Sequence, residues 1–219
     1  MIKVTPTALE TYRLYKTFDW MTLEKCIESL TGKFVGNEAT MTGEAFHVIT
    51  ESIKGVKIDH DVTVEHTETG PVFSYHGYQF DGNDMERFAS SLPDQYVPEV
   101  AGKIEIDGVL LRGRVDGLDA ITAHDIKTSL KAIKADKYDD SFQWRSYLPM
   151  FGCSVFHYHL VQLGKNRQTG VHEIRQYDMT TYFDYPNLMD DLRSHIHDFI
   201  GFAESQNIID FFTIKRQPK

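Results

Sequence analysis

Two aspartates and a lysine lie close together in a strand-like part of the sequence. Residues 111–129 read LRGRVDGLDAITAHDIKTS, with Asp116 in one run and Asp125 and Lys127 in the next. Side chains alternate between the two faces of a strand, so Asp125 and Lys127 share one face and Ile126 points to the other. Carboxylates bind hard divalent cations through oxygen, and a nearby ammonium can stabilise charge on a phosphate. These residue types therefore predict a metal site suited to phosphodiester hydrolysis.

The simpler interpretation of this stretch is an ion pair on a solvated face of the sheet. Motifs such as Asp125-Ile126-Lys127 are common, so the tripeptide alone favours that interpretation. Two features support the alternative interpretation as a metal site. The main-chain carbonyl of Ile126 offers a neutral oxygen ligand, and a short turn would bring Asp116 close to Asp125. Two neighbouring carboxylates repel each other, and a divalent cation removes that cost.

The elements that carry these residues are predicted to form an antiparallel meander. Residues 102–119 contain two strand-like runs joined by Asp107-Gly108, which is a strong hairpin signal. A third strand is predicted at 121–129. Residues 141–152 are predicted to form a helix that Pro149 bends or ends. Two strands and a closing amphipathic helix follow, at 154–164, 171–179 and 185–206.

The first part of the chain is mainly helical, and the part after it is harder to interpret. A helical region is predicted at 5–30 and a second helix at 39–53. Residues 55–96 could hold short strands and a short helix that starts near Asn83. The order of elements predicts one α/β domain over 1–219, with a mixed central β-sheet flanked by helices. The stretch 55–96 is the candidate for an insertion.

Four short motifs occur in a fixed order on these elements. His47 lies in the second helix, Gly113–Asp116 reads GRVD, residues 125–127 read DIK, and Gln143–Tyr147 reads QWRSY. This set resembles the PD-(D/E)XK nuclease superfamily, in particular its RecB-like branch, from about residue 5 to about residue 165. The resemblance implies a restriction-endonuclease-like core. It also implies a stand-alone nuclease of the kind that phages and mobile elements encode.

The resemblance gives each matching residue a role. Asp116 and Asp125 would be metal ligands, with Asp116 bridging if two ions bind, and His47 would be a further ligand. Lys127 would be the catalytic lysine. Glu99 is another candidate ligand, since related folds keep an acidic residue at the start of this meander. An ordinary exposed glutamate is the alternative for Glu99.

The Q-x-x-x-Y motif and several basic residues complete the predicted site. Gln143 and Tyr147 are four residues apart on a helix and share a face. The resemblance places them against the lysine, a metal-bound water or the substrate phosphate. Each of the basic residues could contact the DNA backbone or pair with a nearby acid, and the lysines also fit a solvated helix face. The basic residues are Arg112, Arg114, Lys131, Lys134 and Arg145.

The activity that the resemblance implies is hydrolysis of DNA with one or two Mg²⁺ or Mn²⁺ ions. It favours a RecB-like exonuclease that acts on linear DNA ends in recombination, repair or processing. Two alternatives stay open, namely a non-catalytic nucleic-acid- or partner-binding module on the same fold, and an RNA endonuclease with the same metal site. No nucleotide-binding loop is recognisable, so a helicase would be a partner, as would a recombinase or a single-strand-binding protein. An oligomer would suit a processive exonuclease.

Composition limits the class of protein. The net charge of −9 has the wrong sign for a protein that coats nucleic acid non-specifically, although it is compatible with metal ions and one local basic patch. No apolar run is long enough to cross a membrane, and the N-terminal segment lacks the apolar core of a signal peptide. Cys26 and Cys153 are too few for a four-cysteine iron–sulfur cluster, which some relatives carry, and they indicate a reducing, cytoplasmic setting.

Two further histidines, His157 and His159, alternate along the strand-like run FHYHL. Their spacing suits a metal ion. We expect a structural or exposed pair instead, because the sequence offers no third ligand nearby.

Overall fold

Nine strands form one mixed sheet in the computed structural model, which describes residues 1–55 and 59–214. The strands are β1 (Ile2–Val4), β2 (Thr63–Thr67), β3 (Gly70–Tyr75), β4 (Tyr78–Asp81), β5 (Val97–Ile106), β6 (Val109–Asp119), β7 (Thr122–Ser129), β8 (Val155–Lys165) and β9 (His172–Phe183). Their order is β1-β6-β7-β8-β9-β4-β3-β2, and β5 also pairs with β6. The pairs β1–β6, β7–β8 and β4–β9 are parallel, and the others are antiparallel.

Six α-helices in the described residues flank this sheet. They are α1 (Pro6–Thr17), α2 (Leu23–Leu30), α3 (Glu38–Ile53), α4 (Gly82–Ser91), α5 (Phe142–Phe151) and α6 (Leu188–Ser205). One core contains side chains of α1, α5 and α6, such as Leu9, Leu148 and Phe199. The other contains side chains of α3 and α4, such as Phe46 and Phe88. The predicted α/β fold with a mixed central sheet flanked by helices is confirmed.

The predicted meander is also confirmed. Its second and third strands, β6 and β7, pair over only part of their length, and we call the opening between them the fork. Asp107 and Gly108 have φ values of 48° and 78°, the left-handed conformation that a tight hairpin turn needs. On its other edge, β6 pairs with β7 only through Gly117–Asp119. Beyond the pair Gly117–His124 the two strands separate. The fork therefore begins immediately beside Asp116 and Asp125.

The stretch that was hardest to interpret forms β2, β3, β4 and α4. A turn at His76-Gly77, with φ values of 47° and 85°, divides β3 from β4. The hairpin joins the main sheet where Phe80 of β4 pairs with His172 of β9. Residues 56–58 of the candidate insertion, and residues 215–219 at the basic C-terminus, lie outside the described residues.

Two helix predictions need correction. The helical region at 5–30 is two helices, because residues 18–22 between α1 and α2 are not helical. Pro149 lies inside α5, which continues to Phe151. The proline therefore does not end the helix, although it lacks the N–H that would donate a helical hydrogen bond at this position. Gly152 ends α5 in the left-handed conformation, with φ 66°.

Both cysteines, Cys26 and Cys153, are free and buried. Burial raises the pKa of the Cys26 thiol to about 11 and also raises that of Cys153, so both remain protonated near neutral pH. Among the described helices, none has the length and apolar character that crossing a membrane requires.

Candidate active site

The fork between β6 and β7 brings together the two aspartates that the sequence singles out. The main-chain N–H of Ile126 donates to Asp116 Oδ2 at 2.7 Å. Asp116 and Asp125 are the first residues on each strand beyond the last ladder pair. The Asp116 carboxylate therefore occupies the place where strand pairing stops, and it is held there by the amide that follows Asp125.

Helix α3 carries His47 to the same point. Gly43, one turn earlier, allows α3 to approach β7 closely, since an added Cβ at Gly43 would lie 2.6 Å from Thr128 Oγ1. His47 Nδ1 then lies 3.7 Å from Asp116 Oδ2. His47 and Asp116 are partly exposed, at 27% and 21% of their side-chain surface. The structure thus places the predicted helix ligand beside the predicted bridging carboxylate.

Asp125 and Lys127 form a close ion pair. Lys127 Nζ lies 2.6 Å from Asp125 Oδ2, and the Asp125 side chain is only 5% exposed. Asp125 Oδ2 makes no hydrogen bond of standard geometry within the part of the chain that the structure describes. Burial raises the pKa of the Asp125 carboxyl, and the Lys127 charge opposes that shift. Burial lowers the pKa of Lys127, but the charges of Asp125 and Asp116 outweigh it, so Lys127 remains a cation.

The pKa of Tyr96 reflects the negative charge of the carboxylates around the fork. Burial raises the pKa of its hydroxyl, and the charges of Asp116, Asp125, Glu51 and Glu99 raise it further, in that order. Glu51 lies four residues after His47 on α3, so both residues share one helix face. Four carboxylates therefore act on one buried tyrosine. Such a concentration of acidic groups favours binding of a cation.

Sequence analysis did not identify Tyr96 as part of the site. Its hydroxyl donates to the main-chain carbonyl of Asp116 at 2.8 Å. The glycine after Asp116 makes this possible, because a Cβ at Gly117 would overlap the Tyr96 ring. The signal in the sequence is the glycine in GRVDG, but a glycine does not reveal which side chain fills the space that it leaves.

The Q-x-x-x-Y residues lie on α5 and have protein partners. Tyr147 Oη donates to the carbonyl of Arg114 at 2.8 Å, and Tyr147 is 3% exposed. Gln143 is also buried, and its main-chain N–H donates to Ser141 Oγ at 3.2 Å. The ring within reach of Lys127 Nζ, at 5.7 Å from its centroid, is that of Tyr158. Tyr147 therefore supports the strand that carries Asp116, and Tyr158 is a neighbour of Lys127 that sequence analysis missed.

Glu99 and Arg114 pair with each other. Glu99 lies on β5 with φ 55°, in the left-handed region, between the ladder pairs Pro98–Gly117 and Val100–Val115. Its carboxylate forms an ion pair with the Arg114 guanidinium. The candidate ligand Glu99 thus lies beside the site, with its charge already compensated by a side chain predicted to contact DNA.

The remaining basic residues fall into two groups. Arg112 and Arg114 line a groove of about 790 Å³ together with Lys103, Thr7 and Tyr147. Arg145 instead pairs with Asp140 at 3.1 Å and lies 5.1 Å from the ring centroids of its neighbours in α5. Arg112 and Arg114 lie on β6, the strand that carries Asp116, whereas Arg145 contacts residues close to it in sequence at the start of α5.

Lys134 and Lys137, after β7, line a second groove, of about 460 Å³. Lys131 and Lys134 are exposed and lie outside any helix, so the helical face considered for them is wrong. Trp20, which is half-exposed, stacks on Phe18 with ring centroids 5.9 Å apart. Lys137 Nζ lies 5.7 Å from the Trp20 ring. This groove combines aromatic rings with positive charge close to the end of β7.

The expectation that His157 and His159 have no third ligand nearby is wrong. His124, from β7, lies beside them, and one ring nitrogen of each residue lies within 4.8 Å of the other two. The sequence hides this group because β7 and β8 are adjacent only in the folded sheet.

Comparison with known proteins gives a distant structural match. No protein-family model and no curated protein matches the sequence. Matching solved structures include SSO0001, with a TM-score of 0.48 and 13% identity, covering 94% of this chain and 78% of that chain. They also include the alkaline exonuclease LHK-Exo from Laribacter hongkongensis, with a TM-score of 0.44 and 12% identity, covering 95% of this chain and 90% of that chain. At this similarity, the function of this chain has to be inferred from its own residues.

Proposed function

We propose that this chain is a divalent-metal-dependent nuclease of the PD-(D/E)XK type that hydrolyses DNA phosphodiester bonds. The observation that carries the proposal is the assembly of His47, Asp116, Asp125 and Lys127 at the fork. The key distances are 3.7 Å from His47 Nδ1 to Asp116 Oδ2 and 2.6 Å from Lys127 Nζ to Asp125 Oδ2. We call these four residues the acidic site.

The donor atoms of the acidic site fit a hard divalent cation. Asp116 and Asp125 offer carboxylate oxygens, and His47 offers an imidazole nitrogen, which Mn²⁺ accepts readily. The buried Asp125 Oδ2 is held by the ion pair with Lys127 and makes no hydrogen bond of standard geometry in the described residues, so a bound cation would share this oxygen with Lys127. Mg²⁺ or Mn²⁺ bound by these residues would polarise the phosphate and make a bound water more acidic.

Lys127 contributes a positive charge that belongs to the chain itself. Hydrolysis forms a bond from a water oxygen to phosphorus and breaks the bond to the leaving oxygen, while negative charge increases on the other phosphate oxygens. The Lys127 side chain is 25% exposed, and its ammonium could donate a hydrogen bond to one of those oxygens. Asp125 fixes its position through the ion pair.

The two grooves support nucleic acid as the substrate. Arg112 and Lys103 offer positive charge to a phosphate backbone in the first groove. Phe18 and Trp20 in the second groove offer flat faces on which unpaired bases could stack. Local basic surfaces of this kind explain how a chain with a net charge of −9 can bind DNA. We further propose that the enzyme is an exonuclease that works from DNA ends.

The test compares linear and covalently closed circular DNA, each incubated with Mn²⁺ or with EDTA. We expect the wild type to degrade linear DNA only, with Mn²⁺ only, and Lys127→Ala to be inactive. Lys33→Ala is the matched control, because Lys33 is an exposed lysine remote from the motifs, and it should retain full activity.

Each other outcome has a defined meaning. Cleavage of the circular DNA would replace the exonuclease with an endonuclease. Cleavage of an RNA substrate but neither DNA would favour the RNA endonuclease. A folded wild type that binds DNA but cuts no substrate with Mn²⁺ would overturn the enzyme proposal in favour of a binding module.

A further inference from the structure

A second group of potential metal ligands lies on β7 and β8. The two strands run parallel, with His124 opposite His157 and Ile126 opposite His159. Side chains alternate along each strand, so His124, His157 and His159 project from the same face of the sheet, opposite to Asp125. We call these three residues the histidine cluster. One ring nitrogen from each lies within 4.8 Å of the other two.

The ring nitrogens of this cluster are arranged as in a metal site. His124 Nδ1 and His159 Nε2 face each other at 3.0 Å. Their outer nitrogens face oxygen atoms, with His159 Nδ1 2.9 Å from Tyr177 Oη and His124 Nε2 3.4 Å from Asp119 Oδ1. A metal-bound imidazole usually donates its second N–H to such an oxygen. Tyr177 thus occupies the position of a supporting hydrogen-bond acceptor, and the Asp119 carboxylate lies close to His124 Nε2, which makes no hydrogen bond of standard geometry in the described residues.

The spacing of His124 and His159 is close to that of two ligands of a zinc-class ion, and a ring nitrogen of His157 lies within 4.8 Å of both. Zn–N bonds of about 2.0–2.1 Å in a tetrahedral site separate two ligand nitrogens by about 3.4 Å. The pair His124–His159 needs to open by only a few tenths of an ångström from 3.0 Å. His157 is partly exposed, whereas the other two are almost fully buried. An ion could therefore enter past His157.

The protonation state also suits metal binding. Burial, with the added effect of the nearby His124 and His157, lowers the pKa of His159 to about 3. Burial also lowers the pKa of His157. Neutral imidazole is the form that binds a metal, so these rings have no proton to lose in order to become ligands.

We propose that His124, His157 and His159 form a second metal site that binds one transition-metal ion of the zinc class. Three imidazoles favour Zn²⁺ and its transition-metal neighbours over Mg²⁺, which prefers oxygen ligands. The site joins β7 to β8 directly and joins both to β9 through Tyr177. Its role is structural, because it braces the strand that carries Asp125 and Lys127 from the opposite face. The proposal does not depend on the nuclease function.

The test measures metal binding rather than activity. The full-length chain carrying Asp116→Asn and His47→Ala, which weakens the acidic site, is titrated with Co²⁺ and Zn²⁺. Co²⁺ should give the visible absorption of a tetrahedral imidazole site at one equivalent, and Zn²⁺ should displace it. In the same background, His157→Ala should weaken binding by well over tenfold and Tyr177→Phe by about tenfold.

His157→Ala is the primary variant because His157 is partly exposed and makes no hydrogen bond to the other two rings in the described structure, so the fold should tolerate the change. His66→Ala, at an exposed histidine on β2, is the control and should bind normally. The proposal fails if the background variant binds neither ion. It also fails if His157→Ala binds the metal as tightly as the His66→Ala control. In that case, Tyr177, His159 and His124 would be a hydrogen-bonded chain and not part of a metal site.

Discussion

Strand β7 contributes to two sites of opposite character. Asp125 and Lys127 belong to the acidic site, where Lys127, Asp116 and His47 are 21–27% exposed. His124, on the other face of β7, belongs to the histidine cluster and is 2% exposed. His124 and Asp125 are adjacent and similarly buried, yet one lies in a neutral site and the other in a charged site whose other members are partly exposed.

The difference shows how burial selects the chemistry of a site. Carboxylates that remain charged need a partial path to solvent or a cation, and both are compatible with an anionic substrate that must enter and leave. Buried imidazoles avoid the cost of charge by remaining neutral. The face of β7 that carries Asp125 and Lys127 is thus suited to a hard cation and catalysis, and the face that carries His124 to stability.

The largest expected effect separates the two sites by activity. Asp116→Asn should reduce cleavage of linear DNA with Mn²⁺ by about a thousandfold, because the loss of a metal ligand removes several kcal/mol of transition-state stabilisation. The asparagine can still accept the Ile126 N–H, so the fold should persist. Single-turnover digestion would measure the effect, and retention of a tenth of the wild-type rate would show that Asp116 is not a ligand that matters.

The next effect separates them by stability. His159→Ala should lower the free energy of unfolding by about 2–4 kcal/mol even in EDTA, because it leaves a cavity and removes the hydrogen-bond partner of buried His124. His197→Ala, at a histidine that is 58% exposed, should change it by less than about 0.5 kcal/mol. Urea denaturation would measure both, and equal stabilities would contradict the structural importance of the histidine cluster.

A change at the junction of the sites should have an intermediate effect. Gly117→Ala should destabilise the chain by about 1–3 kcal/mol, because the new methyl group would overlap the Tyr96 ring. Gly201→Ala on α6 is the matched control, since an added Cβ there meets nothing within 4 Å. That substitution should be stabilising by about 0.5–1 kcal/mol. Thermal unfolding of both variants would reveal whether the close contact of Gly117 with Tyr96 exists.

The smallest effect tests the residue that touches both sites. Tyr96 donates to the Asp116 carbonyl, and its ring centroid lies 5.8 Å from that of His124. Tyr96→Phe keeps the ring and loses the hydrogen bond, so it should cost about 0.5–1.5 kcal/mol of stability. The visible absorption spectrum of Co²⁺ bound to the histidine cluster should be the same in Tyr96→Phe as in the wild type. A shifted spectrum would show that the two sites are coupled through this ring.

Much of the acidic site could be predicted from local patterns. The alternation of side chains places Asp125 and Lys127 on one face of a strand, and Asp107-Gly108 marks the hairpin before Asp116. These signals work because a strand repeats every two residues and a tight turn needs left-handed backbone, and both requirements act over a few residues.

The neighbours of these residues follow from contacts between distant parts of the folded chain. The ladder between β6 and β7 ends at Gly117, which opens the fork, and Tyr96 and Tyr158 enter the site from separate elements. His124 lies beside His157 and His159 because β7 and β8 form a parallel pair, although α5 separates the two strands in the sequence. A parallel pair needs a crossover connection, and its register depends on packing between distant segments. The residue types and their local order could therefore be identified from the sequence. Both sites also need the register between distant strands, and that register depends on the folded core.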